Sequence, residues 1–387
     1  MKIAILTQPL HTNYGGILQN YALQQTLKQM GHEVETINWI QYKKNPLKDW
    51  LWIKKRTILS YFKKDVEKPR YYQLSKKEQD TINRNTQFFC EHHITLSPVV
   101  VKNPKMFRDI ENRYKYDAYV VGSDQVWRPR YNTMLTSMFL DFVKRDNAKR
   151  IAYAASFGTS VWEFDSEMTK ICSPLARKFD LISVREKSGI ELCKKYLNTE
   201  AVLALDPTLL LPRKHYEMLA DKEPQSQGTL FSYMLDPDEK KQKLVSNIAE
   251  QLDLIPFDVM PIYPAERRRK KDIKEHIDDC IYPSVTRWIR GFMDAKMIVT
   301  DSFHGVLFSI IFNKPFWVMD NYLRGNARFD SVLDLFELQE RRISDFSISD
   351  KKWDLPIDWE KINRINKREI KKSLSLLQNI LQTTYKQ

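Results

Sequence analysis

No two of the four cysteines, Cys90, Cys172, Cys193 and Cys280, form a C-x-x-C pair. The usual zinc and dithiol signatures are therefore missing, and reduced, partly buried thiols are the ordinary expectation. His92-His93 is a lone histidine pair, and a metal site needs more ligands than that. No apolar run approaches the ~18–20 residues that span a bilayer. The opening "MKIAILTQPLHTNYGG" has one lysine and a short, broken apolar run, which predicts a first strand and not a secretory leader. The expected location is cytoplasmic. No G-x-G-x-x-G follows that strand, so the dinucleotide fingerprint is absent. There is also no internal repeat and no low-complexity tract.

The charge is positive and uneven. The net charge is +13 over 387 residues, and the segment 42–77 alone holds twelve Lys/Arg against three Asp/Glu. The remainder is close to balanced, which argues against a uniformly basic nucleic-acid binder. The insert reads as a basic patch that mixes lysines with Trp50, Trp52, Ile53, Ile58, Leu59, Tyr61 and Phe62. That combination suits the surface of an anionic membrane, here the inner face of the cytoplasmic membrane. The alternative is a solvated helix that packs its aromatics on the body.

A chain of this length is long for one core and predicts two domains. "KIAILT", "GGILQNYALQQTLKQMG" and "HEVETINW" form a strand, a helix and a strand, so the sheet is expected to be parallel. "YDAYVV", "KRIAYAA", "FDLISV" and "AVLAL" continue the series. Each ends in a small or charged cluster: "GSDQVWRP", "SFG", "REKSG" and "DPTLLL". Ligands of open α/β sheets bind outside the carboxyl ends of strands, so these clusters share one rim by topology. Pro212–Gly228 reads as a linker. A second series follows, with helices over 239–252 and 284–294 and strands "AKMIVT" and "PFWVMD". The predicted organisation is an α/β fold of two Rossmann-like domains, 1–212 with its insert at 42–77 and 226–345, followed by a helix in 350–387 that crosses back to the first domain.

Within these clusters a few residues carry chemistry. In "MIVTDSFHGVLFSI", Asp301-Ser302-Phe303-His304-Gly305 is the turn from a strand into a helix. A histidine at a helix N-terminus is disfavoured as imidazolium and welcomes an anion beside it, so His304 is placed for proton transfer or for contact with a phosphate. Asp301 or Ser302 would cap the helix or fix the tautomer. In "VVGSDQVW", Gly122 permits close backbone approach, Asp124 can accept sugar hydroxyls or act as a base, and Trp127 can stack on a sugar. Arg185 follows a strand directly, where its planar fork suits a carboxylate or phosphate. "LRGNARFD" offers Arg324, Asn326 and Arg328 for an anion with several oxygens. Gly15-Gly16 before the first helix leaves backbone N–H groups free to face a ligand. Each cluster also has a structural reading: a satisfied histidine in a βα turn, an Asx turn with a core tryptophan, or a surface salt bridge from Arg185 to Glu186 or another acid.

Seven segments, "NYGGILQNYAL", "DAYVVGSDQVW", "YAASFG", "ISVREKSG", "LDPTLLL", "VTDSFHGVLFSIIFNKPF" and "RGNARFD", together resemble the polysaccharide pyruvyl transferase family, in the family's order. The resemblance implies a GT-B-like fold with two Rossmann-like domains facing a cleft. It implies phosphoenolpyruvate as co-substrate, with no other cofactor and no metal. The acceptor would be a hexose of a surface polysaccharide or its lipid-linked precursor, and the product a cyclic ketal. By motif position His304 looks like the family's catalytic histidine and Arg185 like its donor-binding arginine, while Asp124 is expected as a hydroxyl ligand or second catalytic base. Ser302, Arg324, Asn326 and Arg328 complete the expected donor side. Asn13, Gly15, Gly16, Gln19, Ser123, Trp127 and Ser156 make the expected acceptor side. Many members read Arg-x-His where this sequence has Ser302-Phe303-His304, so the missing cation is sought at Arg324 or Arg328. Two other readings share the architecture: a GT-B glycosyltransferase using a nucleotide sugar, and a non-catalytic glycan-binding assembly factor.

Overall fold

The structure is a computed structural model, and it describes residues 1–40, 54, 74–263, 270–347 and 352–383. Most of the basic insert, and with it the membrane-surface reading, lies outside the described residues.

The first half is built on β1 (Lys2–Leu6), α1 (Tyr14–Gln29), β2 (Glu33–Thr36), α2 (Lys76–His93), α3 (Pro104–Tyr114), β3 (Ala118–Val121), β4 (Lys149–Ala155), α4 (Ser166–Ala176), β5 (Leu181–Val184), α5 (Lys187–Leu192) and β6 (Val202–Leu203). Its sheet runs β2-β1-β3-β4-β5-β6, all parallel. "AYVV" and "KRIAYAA" are buried at every position, as a parallel strand covered on both faces requires.

The second half contains α6 (Arg213–Ala220), β7 (Leu230–Tyr233), α7 (Glu239–Gln251), β8 (Pro256–Phe257), α8 (Lys270–Glu275), α9 (Val285–Asp294), β9 (Met297–Thr300), α10 (Phe303–Ile311), β10 (Phe316–Met319), α11 (Ala327–Phe336), β11 (Arg342–Ile343) and α12 (Trp359–Gln382). Its parallel sheet runs β11-β10-β9-β7-β8. The segment read as a linker, 212–228, holds α6, because Tyr216 and Ala220 on one face of "RKHYEMLA" have apolar surface to bury.

In each sheet the chain order reverses once, between β1 and β3 and again between β7 and β9. These reversals are the switch points at which open α/β sheets bind ligands, beyond the strands' carboxyl ends. The turn after β9 carries His304, and its ring packs on Gly15 at the start of α1, the helix that follows β1. The two switch points therefore confront each other.

One apolar core holds them in that relation. A single buried cluster runs from Ile5, Leu18 and Tyr153 of the first half to Trp288, Phe308 and Phe292 of the second. Tyr14 of α1 stacks on Trp288 of α9 with ring centroids 5.7 Å apart, and its hydroxyl donates to the Pro283 carbonyl at 3.0 Å. In α2, Asn85 donates to the Tyr282 carbonyl at 2.8 Å. The long helix α12 returns to the first half, where the Leu205 amide donates to Ser373 Oγ at 3.1 Å.

Because this core is shared, the halves are expected to unfold together. Trp288→Ala should lower stability by about 3–5 kcal/mol and keep one cooperative transition in urea, followed by fluorescence and circular dichroism. Two separated transitions in the parent protein would contradict the shared core.

Candidate active site

The site is assembled from strand ends of both sheets. Beyond β9, Ser302 caps α10, its Oγ accepting from the Gly305 amide at 3.4 Å. Asp301 does not cap. Its buried carboxylate accepts from the Leu235 amide at 2.6 Å, the Asp236 amide at 3.1 Å, Lys241 Nζ at 2.7 Å and Asn321 Nδ2 at 3.2 Å. It thereby ties together the rim of the second sheet.

His304 stands in the first turn of α10 at the boundary between the halves, with 5% of its surface exposed. A Cβ on Gly15 would fall 2.1 Å from His304 Nδ1, so only glycine lets the imidazole lie there. His304 Nε2 is 3.6 Å from Asp206 Oδ2, within ion-pair range but beyond a hydrogen bond. That nitrogen has no hydrogen-bond partner.

Arg185, at the end of β5, lies beneath this surface with 1% of its side chain exposed. One terminal nitrogen donates to Asp206 Oδ2 at 2.7 Å and the other to Asp124 Oδ1 at 2.8 Å. Asp124 follows β3 at φ +70°, left-handed backbone that Asp tolerates better than most residues. Its carboxylate also accepts from the Gln125 amide at 2.8 Å and from Asn13 Nδ2 at 3.4 Å. Asp206 follows β6 and also accepts from Ser123 Oγ at 3.1 Å and from the Thr208 amide and hydroxyl at 3.1 and 2.9 Å. Burial pushes both acids up, but the charges beside them prevail. Arg185, then His304 and Arg328, hold Asp124 below the usual carboxylate range, and His304, then Arg185, do the same for Asp206.

The Phe303 ring joins these groups. Arg185 lies 4.7 Å from its centroid, Arg328 5.4 Å, and the His304 ring 5.4 Å. Arg328 Nη2 donates to the Arg324 carbonyl at 3.1 Å, and its Nε is buried with no partner. Burial, and then Arg185, push this guanidinium down to about 10, so it stays charged at neutral pH. Arg324 points elsewhere, its Nε 2.6 Å from Asp236 Oδ2. Of the two arginines considered for the missing cation, Arg328 is the one beside Phe303 and Arg185.

The cleft is shut at its mouth. Arg128 of the first half donates to the Arg324 carbonyl at 2.9 Å, and Arg130 to the Leu323 carbonyl at 3.3 Å. Gly325 sits at φ +88°, and a Cβ there would fall 2.0 Å from the Gly158 carbonyl oxygen. Beside Arg185 remains a cavity of about 30 Å³ lined by Asp206, Phe303, Leu307, Val332 and Ser373, room for roughly one water.

Residues 13–322 match the sequence model of the family described as polysaccharide pyruvyl transferase. The chain belongs to the polysaccharide pyruvyl transferase family. No curated protein matches it. Among solved structures it is similar to Arabidopsis thaliana UGT89C1 complexed with UDP-L-rhamnose, at 10% identity and TM-score 0.51 over 97% of this chain and 98% of that one. It is also similar to UDP-GlcNAc 2-epimerase from Neisseria meningitidis bound to UDP-GlcNAc, at 10% identity and TM-score 0.48 over 98% and 99% of the two chains. At 10% identity the likeness to UGT89C1 concerns fold alone, and with two parallel sheets the fold is the two-domain, GT-B-like α/β architecture.

In this pyruvyl transferase family member the other expected residues divide. Trp127 is a correction: it is fully buried, its indole donates to the Met138 carbonyl at 3.0 Å, and it stacks on Phe139. It has no face for a sugar. Gln19 is also buried, and it spends its side chain on Thr7, the Gly16 carbonyl and the Ser123 amide. Gly16 donates to Asn13 Oδ1 at 3.1 Å, Asn326 Oδ1 accepts from the Asn321 amide at 3.0 Å, and Ser156 Oγ from the Gly158 amide at 3.0 Å. These brace the turns from within. The Arg185–Glu186 salt bridge does not form. Glu186 is buried, accepts from the Phe157 and Gly158 amides at 2.7 and 3.1 Å, and is raised by burial against the pull of Arg185.

Sequence reasoning missed Asp206 and Glu186 as site residues. Asp206 opens "DPTLLL" at the expected rim, so its position was visible while its partner was not. No group of three His, Cys, Asp or Glu able to hold a metal occurs among the described residues, and no helix there is long and apolar enough to cross a membrane.

Asp206→Asn leaves Arg185 with one carboxylate and should cost about 3 kcal/mol near neutral pH. Both acids titrate lower when folded than the ~3.9 of an unfolded Asp, so their stabilisation is complete above that value and fades as pH falls through the folded values. The gap between parent and variant in urea midpoints should therefore be full at pH 7 and close below about pH 3.9. A gap independent of pH would mean that Asp206 acts by shape and not by charge.

Proposed function

We propose that the protein transfers pyruvate from phosphoenolpyruvate to a hexose of a polysaccharide or its lipid-linked precursor, forming a cyclic ketal. The observation that carries this reading is the meeting of His304 with Arg185 and Arg328 around Phe303, where the two switch points face each other. A donor with a carboxylate and a phosphate needs cations and a proton-transfer group within one small space. The buried Nε–H of Arg328 and of Arg185, both without partners, offer hydrogen bonds to such an anion.

In the proposed reaction a proton is added to the methylene carbon, and oxocarbenium character develops at C2 of the donor. One sugar hydroxyl attacks C2 and loses its proton. The C2–O bond to phosphate breaks, phosphate departs, and a second hydroxyl closes the ketal and loses its proton. His304 carries the proton at the attacking hydroxyl or the leaving phosphate, since its Nε2 is buried without a hydrogen-bond partner at the boundary of the halves. The arginines hold the charge that gathers on phosphate. Asp124 receives no proton-transfer role: it is committed to Arg185 and held below the usual carboxylate range, which makes it a poor base. Its part is to keep Arg185 in place. Substrate entry requires the rims at Gly158 and Gly325 to separate.

Incubation with phosphoenolpyruvate and a galactosyl or mannosyl acceptor should release inorganic phosphate and add a pyruvate ketal detectable by mass spectrometry. His304→Ala should slow phosphate release by about 10²–10⁴-fold with little change in the unfolding midpoint. A glycosyltransferase would instead require a nucleotide sugar, and a glycan-binding protein would release nothing. Wild-type turnover in the alanine variant would remove His304 from the reaction. Gly15→Ala should also abolish turnover, by displacing the imidazole, and should do so without unfolding the chain.

A further inference from the structure

The loop 321–326 carries two large exposed side chains side by side, Tyr322 with 74% and Leu323 with 60% of its surface in solvent. Exposed apolar residues are common singly; these two are adjacent, at the seam, on a loop whose backbone is hydrogen-bonded. The Arg324 and Gly325 amides donate to the Asn321 backbone carbonyl at 3.2 and 3.0 Å. Asn321 Nδ2 donates to Asp236 at 2.9 Å, and Arg324 also reaches Asp236. From the opposite half, Arg130 and Arg128 hold the Leu323 and Arg324 carbonyls. The Tyr322 hydroxyl donates to Asp320 Oδ2 at 3.1 Å, which orients the ring while its faces stay open. The loop's polar groups are thus occupied internally, and what it offers is an oriented aromatic face with a leucine beside it.

We propose that Tyr322 and Leu323 form a stacking platform for the acceptor glycan and take the pyranose rings next to the one that reacts. The proposal rests on the pyruvyl-transfer reading for its acceptor. A polymer whose one residue enters the cleft must leave across the seam, and this loop forms one lip of it. The C–H faces of a pyranose match an apolar ring, and the exposed Arg130 beside it can donate to sugar hydroxyls. A held aromatic loses little freedom on binding. Two side chains are far short of the roughly 800 Å² per partner that a stable protein interface buries, so a second protein is the poorer occupant.

The test compares Tyr322→Ala and Tyr322→Phe with the parent on galactosyl and mannosyl acceptors of one to four sugars, with phosphate release as readout. For Tyr322→Ala the KM should rise by about five- to tenfold on the longer acceptors and stay within about twofold on the monosaccharide glycoside. The KM for phosphoenolpyruvate should not move, and Tyr322→Phe, which keeps the ring and loses only its hydrogen bond to Asp320, should stay within about twofold of the parent. An equal rise on short and long acceptors, or a rise in the phosphoenolpyruvate KM, would mean that the loop only supports the site and would overturn the platform. If the parent protein releases no phosphate at all, the reaction reading fails and the platform is judged by affinity electrophoresis. In galactan or mannan gels the parent and Tyr322→Phe should be retarded more than Tyr322→Ala, and equal mobility of all three in both gels overturns it.

Discussion

The structure of the site depends on one buried guanidinium held between two carboxylates. Arg185 has almost no solvent contact, and Asp124 and Asp206 are what make its burial tolerable. An unpaired guanidinium at that depth would cost several kcal/mol, and either acid alone would face the same penalty. The three residues come from the ends of β3, β5 and β6, so the ion cluster fixes the positions of three loops at once. It reaches the second half through Phe303 and His304. Any account of the chemistry has to begin with this triad, because it decides which cation and which acid are left for a substrate.

That constraint redistributes the roles. Arg185 spends both terminal nitrogens on carboxylates, and its Nε is left without a partner. Arg328 is the cation with capacity to spare: it is buried, it makes one hydrogen bond to a carbonyl, and no acid forms an ion pair with it among the described residues. Ser302 caps α10, and Arg328 approaches the Phe303 ring from the start of α11.

Much of this geometry was visible in the sequence. Alternating strands and polar clusters placed Asp124, Arg185 and His304 on strand ends, and the rule for open parallel sheets put them on a rim. The helix starting near His304 and its cap were readable from "TDSFHG". What local pattern could not give was partnership. Arg185 had Glu186 as its neighbour in sequence but took Asp124 and Asp206 through space. Trp127 adjoins a catalytic-looking turn, yet its indole turns inward onto Phe139. Gly15 looked like part of a ligand-facing loop, whereas its missing side chain makes room for the imidazole of the other half. Each miss concerns a contact between distant segments, where packing and charge override what neighbouring residues propose.

The central claim is that two facing switch points enclose a buried cationic site for a small anion bearing phosphate. It is tested most directly by following the phosphorus resonance of phosphoenolpyruvate by NMR as protein is added, without any acceptor sugar. The account predicts a shift that saturates at one donor per chain in the parent and is lost in Arg328→Gln, with both proteins folded. A resonance that the parent protein leaves unmoved, or one that Arg328→Gln shifts as fully as the parent does, would contradict it.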